Sequence, residues 1–169
     1  MAQREILIYP DPRLRHPAEP VVDFDDDLSQ LVDDLIETLS VHDAIGLSAT
    51  QIDDQRQVLI VDPPGEDEGP QVYINPSISA KSAWGFVEES CLSVPGVKGS
   101  VVRATRVSVS AQDATGKPFQ RSVDGMHAVC LQHEMDHLAG KLFIDRFTVF
   151  GRMRARRAAK AAAAQAQSA

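Results

Sequence analysis

The chain has 169 residues, 43% of them hydrophobic and 24% charged, which fits one globular domain with a sizeable core and excludes a disordered chain. Two cysteines, Cys91 and Cys130, are too few for a secreted disulfide scaffold, and no apolar run approaches the ~20 residues of a membrane span. The net charge is −7, but five of the 17 Lys and Arg and none of the 24 acids lie beyond Gly151, so a body of −12 carries a tail of +5; an acidic body argues against broad or sequence-specific nucleic-acid binding.

The first residues are too short in apolar length for a signal peptide, so a cytoplasmic, reducing location is expected, where thiols serve as ligands more often than as bridges. Pro10, Pro12, Pro17 and Pro20 exclude a long helix before residue 23 and leave an extended arm lying on the body. Asp25, Asp26 and Asp27 form an acidic first turn. Leu28, Leu31, Val32, Leu35, Ile36 and Leu39 then recur at helical spacing, which predicts a helix over about 26–42. Val58–Val61 reads as a buried strand, residues 63–70 as a polar loop, and 72–75, 84–87 and 107–111 as further strands. Asp113-Ala-Thr-Gly116 suits a hairpin turn before a strand around Phe119. A second helix is expected over about 124–139, ended by Gly140, and an alanine- and arginine-rich third over 148–164. The expected fold is α+β, with mostly antiparallel sheets around the central helix and an N-terminal and a C-terminal helix beside it.

The central helix carries His133-Glu-Met-Asp-His137. Histidines at i and i+4 lie one turn apart on one face, so both imidazoles reach one metal ion. Glu134 projects about 100° round from His133, placed to touch a water on that ion without ligating it. A catalytic site needs a third protein ligand and an open position. Cys130 shares the face but stands seven residues from His137, about 10.5 Å along the axis, too far for both to bind within ~2 Å of one ion. Cys91, in Glu88-Glu-Ser-Cys-Leu-Ser-Val-Pro95, is the favoured third ligand, with His16, His42 and the carboxylates as rivals. Cys130 is left to the core or the pocket wall. In Gly46-Leu-Ser-Ala-Thr-Gln51 the small residues permit close backbone approach, and the Gln51 amide can donate to an oxyanion. Gln132 and Asp136 are candidates for orienting the histidines or the motif loops, with Arg103 the expected partner of Asp136.

Three segments together resemble the peptide deformylase family, whose motifs are G-x-G-x-A-A-x-Q, E-G-C-L-S-V-P and Q-H-E-x-D-H. This chain has Ala44-Ile-Gly-Leu-Ser-Ala-Thr-Gln51, Glu89-Ser-Cys-Leu-Ser-Val-Pro95 and Gln132-His-Glu-Met-Asp-His137, in the same order. The likeness runs from about residue 4 to 147. Ala44 stands where the family has Gly, Ser48 where it has Ala, and Ser90 where it has Gly; a positive φ at 90 would strain a serine.

The resemblance implies a hydrolase that removes the formyl group from N-formylmethionyl nascent chains. It implies one divalent ion per chain, iron(II) by family, on Cys91, His133 and His137; zinc also suits a thiolate and two imidazoles. It implies Glu134 as acid/base, and the Gln51 side chain and Leu92 N–H as oxyanion donors. Ile45, Met126, Val129 and Cys130, near Gly46, would form the methionine pocket. Residues 1–147 would be the catalytic metallohydrolase domain, and the basic tail 148–169 would meet the ribosome surface. A zinc peptidase with a downstream third acid is a rival that nothing favours, since Asp145 is the sole acid after His137. A metal-holding interaction module without activity is the non-enzymatic rival.

Overall fold

The computed structural model describes residues 3–65 and 68–166. The proline-rich arm is extended apart from a short 3₁₀ turn at Pro12–Arg15. Its backbone ties distant segments together: Leu7 N–H donates to Gln51 O, Tyr9 N–H to Ser93 O and Ala18 N–H to Leu138 O, each at 2.8 Å. Helix α1 (Asp26–Val41) starts where the acidic turn predicts, with the Asp25 carboxylate accepting from Leu28 N–H at 3.0 Å. Its buried face, Leu28, Leu31, Val32, Leu35 and Leu39, packs on Val58, Ile60 and Ile74 of the sheet.

The sheet has five antiparallel strands in chain order: β1 (Gly46–Ser48), β2 (Val58–Val61), β3 (Gln71–Cys91), β4 (Val94–Gln112) and β5 (Pro118–Asp124). The expected strands 72–75 and 84–87 are two parts of the single 21-residue β3, and 107–111 is the end of the 19-residue β4. Register shifts between Ile74 and Ser77 and between Ile78 and Ala80 interrupt the alternation in β3. Cys91 and Val94 pair across the turn Leu92–Ser93, so the β3–β4 ribbon ends at Cys91.

Helix α2 (Gly125–Leu138) runs through the middle, with ten of its residues buried, among them Cys130, Gln132, His133, Glu134 and His137. Gln132 clamps it to β4: its Nε2 donates to the carbonyls of Ala104 and Ala128, both at 2.7 Å. Gly140 takes φ +68° as a helix stop, and a Cβ there would collide with the Arg15 carbonyl at 2.5 Å. A turn at Phe143–Arg146 leads to α3 (Val149–Ala166), which seats Ala155 and Ala159 on a cluster with Val97, Val101 and Phe143. Among the described residues no helix is long and apolar enough to cross a membrane.

Candidate metal centre

The end of the β3–β4 ribbon folds against α2 and brings Cys91 to the two helix histidines. One ligand atom from each of Cys91, His133 and His137 lies within 4.8 Å of the others, and Cys91 Sγ is 3.2 Å from His137 Nε2. Ligand distances of about 2.1 Å for nitrogen and 2.3 Å for sulfur place tetrahedral donors about 3.5 Å apart, so the trio suits one ion. Neither His16 nor His42 joins the group, although His42 lines the cleft beside it.

That cleft measures about 470 Å³. Its walls include Ile45, Gly46, Met126, Val129 and Cys130 as well as Glu88–Leu92, Gln51, His133 and Glu134. Val129 and Cys130 are buried, while Ile45 and Met126 are partly open to solvent at the rim. Of the expected site residues, His137 alone sits off the cleft wall. Glu134 is buried, and its Oε2 has no hydrogen-bond partner. Gly46 permits this approach: a Cβ there would overlap Cys130 Sγ and stand 2.8 Å from Glu134 Oε1. The Gln51 amide has a defined orientation. Its Oε1 accepts from Ser48 N–H and from the Ser48 hydroxyl, both at 3.0 Å. Its Nε2 donates to Ser93 Oγ at 3.1 Å and faces Cys91 Sγ at 3.7 Å.

A sequence profile of the polypeptide deformylase family matches residues 3–153. The chain belongs to that family. It is 47% identical over 148 residues to a peptide deformylase of Chromobacterium violaceum, covering 88% of this chain and 89% of the relative. It is 44% identical over 165 residues to peptide deformylase 1 of Shewanella oneidensis, covering 98% of each. The crystal structure of a peptide deformylase from Legionella pneumophila superposes with a TM-score of 0.89 at 43% identity, over 94% of both chains. The chain is thus a hydrolase of the family that deformylates nascent peptides, and that family is metal-dependent.

Behind the candidate ligand trio the chain carries a buried relay of charges. His133 Nδ1–H donates to Glu89 Oε2 at 2.8 Å. Arg103 grips both Glu89 oxygens at 2.6 and 2.9 Å and gives its third nitrogen to Asp136 at 2.6 Å. Asp136 also accepts from Arg146 at 2.7 and 2.8 Å. The expected Arg103–Asp136 pair is present, whereas the role of Glu89 went unread. Its signal is the strand period of two, which puts Glu89 on the same face as Cys91.

Burial pushes the Glu134 carboxyl up to about 7. Burial, and next the neighbouring His133, hold His137 well below its ordinary value. Burial drives the Cys130 thiol up, as suits a pocket wall and not a ligand. The serine at 90 meets no left-handed backbone: it pairs with Lys98 in β3, just before a register shift at Cys91, and among the described residues the non-glycine positions at positive φ are Asp43, Asp53, Asn75 and Ala83. The expected strain there is absent.

Proposed function

We propose that this deformylase releases formate from N-formylmethionyl peptides at a single divalent ion held by Cys91, His133 and His137. The observation that carries the reading is the buried Glu134, its Oε2 unpartnered, beside that trio at the head of an apolar cleft. Bound to Cys91, His133 and His137, a divalent ion would supply a Lewis acid and would lower the pKa of the attacking water towards about 7. Glu134 takes up a proton on Oε2 and returns one to the departing amine, for which a carboxyl held near neutrality is suited. Gln51 Nε2 and the Leu92 N–H donate to the developing oxyanion; one such donor typically contributes ~3 kcal/mol. The methionine side chain fills the space between Ile45, Met126, Val129 and Cys130, a burial worth about 1.5–3 kcal/mol. Methionine is therefore favoured over alanine by roughly tenfold or more.

Iron(II) is the proposed ion, and peroxide should inactivate that form by oxidising iron and the Cys91 thiolate. Residues 1–147 are proposed to carry the reaction. The exposed Arg154, Arg157 and Lys160 of α3 are proposed to meet the ribosome surface in the cytoplasm, where nascent chains emerge. The test is formate release from a formyl-Met peptide, with an unblocked peptide as control. Glu134→Gln should keep its metal and lose about 10² or more in kcat. Cleavage of the unblocked peptide, or near-normal kcat in Glu134→Gln, would overturn the reading.

A further inference from the structure

An amide side chain is nearly symmetric in shape but not in chemistry: one end accepts and the other donates. Gln51 is useful to an oxyanion only with Nε2 toward Cys91. Two donors hold it that way, and both belong to Ser48: the backbone N–H and the hydroxyl, each 3.0 Å from Gln51 Oε1. Ser48 is fully buried, so water does not substitute for that hydroxyl. The Thr50 hydroxyl lies 3.3 Å from Ser48 Oγ and is buried too. With Thr50 donating to Ser48, the serine proton is left for Gln51 Oε1 or for the Glu134 carboxylate, which Ser48 also hydrogen-bonds, and a chain of hydroxyls ending on the amide strengthens each link. A flipped amide would set Nε2 against the Ser48 N–H and turn the carbonyl oxygen toward the Cys91 sulfur.

We infer that Ser48 is a positioning residue for the deformylase reaction: its hydroxyl, beside its own backbone N–H and the Ser93 hydroxyl that accepts from Nε2, tightens the hold on the Gln51 amide with Nε2 toward the ligand trio. The inference rests on Gln51 acting as an oxyanion donor. It concerns a position where the family motif carries alanine, so Ser48→Ala is a change the fold accommodates.

The test is a double-mutant cycle on formate release with Ser48→Ala, Gln51→Ala and the pair. Ser48→Ala should lower kcat about 2- to 10-fold, the size of one net hydrogen bond, and leave KM unchanged. In the Gln51→Ala background the same change should cost nothing, since the group it positions is gone. An independent readout is the ¹⁵N side-chain amide signal of Gln51 in the zinc-loaded protein. That signal should shift, and its protons exchange faster, in Ser48→Ala at unchanged metal content. An unchanged kcat with an unmoved amide signal overturns the inference. So does an equal loss with and without Gln51, which would place the action of Ser48 on Glu134 instead. Wild-type protein that releases no formate would sink the functional reading, while the amide signal still decides the role of Ser48.

Discussion

Among the described residues Arg103 heads the fully buried large side chains, 1% exposed, and it holds two carboxylates at once. Removing one partner of such a pair leaves a buried charge uncompensated, at a cost of about 3–5 kcal/mol. Lysine keeps the charge but cannot form the two-pronged grip on Glu89. Arg103→Lys should therefore fold with a lower Tm and let Glu89 drift from His133 Nδ1. Loss of such an outer partner weakens metal binding by about 10- to 100-fold, which competition with a chelator will measure; wild-type affinity in Arg103→Lys would contradict the relay. At this scale the sequence was partly legible. The spacing of His133 and His137 is local, so it could be read directly, and elimination of Cys130 pointed to Cys91. Ser48, three residues before Gln51, is local, whereas Glu89 acts across elements: its partners Arg103 and His133 depend on how a strand twists onto a helix, which no local pattern records.

Two helices were readable to within a residue or two: α1, whose burial is one-sided, ends at Val41, and α2, buried nearly all round, ends at Leu138 just before the Gly140 stop. The long β3 was not, because its middle is exposed and its bulges break the alternation on which a strand reading depends. The arm was read as extended, but its fastening to the far side of α2 was invisible. Arg15 donates to both oxygens of Asp145, at the turn after α2. Burial alone would raise the Asp145 carboxyl; the Arg15 guanidinium and the Leu142 N–H hold it below its ordinary value of 3.8. A depressed carboxylate contributes stability that is present above its unfolded pKa and lost as the pH falls through the folded one. Arg15→Ala should thus melt below the wild type at pH 7, and the gap should close as the pH drops below about 4. Thermal melts of both proteins between pH 7 and 3 check this; a gap that is constant with pH would show that the pair is not what Arg15 contributes.

Across the whole molecule, charge and packing divide the last helix from the reaction. α3 turns Ala155, Ala159 and Ala163 inward and keeps Arg154, Arg156, Arg157 and Lys160 outside. Ala155 and Ala159 belong to a cluster with Val94, Val97, Val101, Leu142 and Phe143, on which Cys91 also packs. No described residue of α3 lines the cleft beside Cys91 and His133, and none belongs to the candidate ligand trio. Deleting residues 152–169 removes five positive charges and no negative one, leaving a body of −12. The truncated chain should lose Tm, since each kcal/mol of lost packing lowers Tm by about 2–4 °C in a chain of this size. Well below that Tm its kcat/KM for a formyl-Met peptide, per bound metal, should stay within about threefold of the full chain, because every group proposed to touch substrate remains. Co-sedimentation with ribosomes at low salt should be lost with the tail, as charge-driven association requires, and should fade in the full chain as salt rises. A truncated chain that still sediments with ribosomes would remove the tail from that proposal, and one that keeps its metal but loses turnover would place part of the catalytic apparatus in α3.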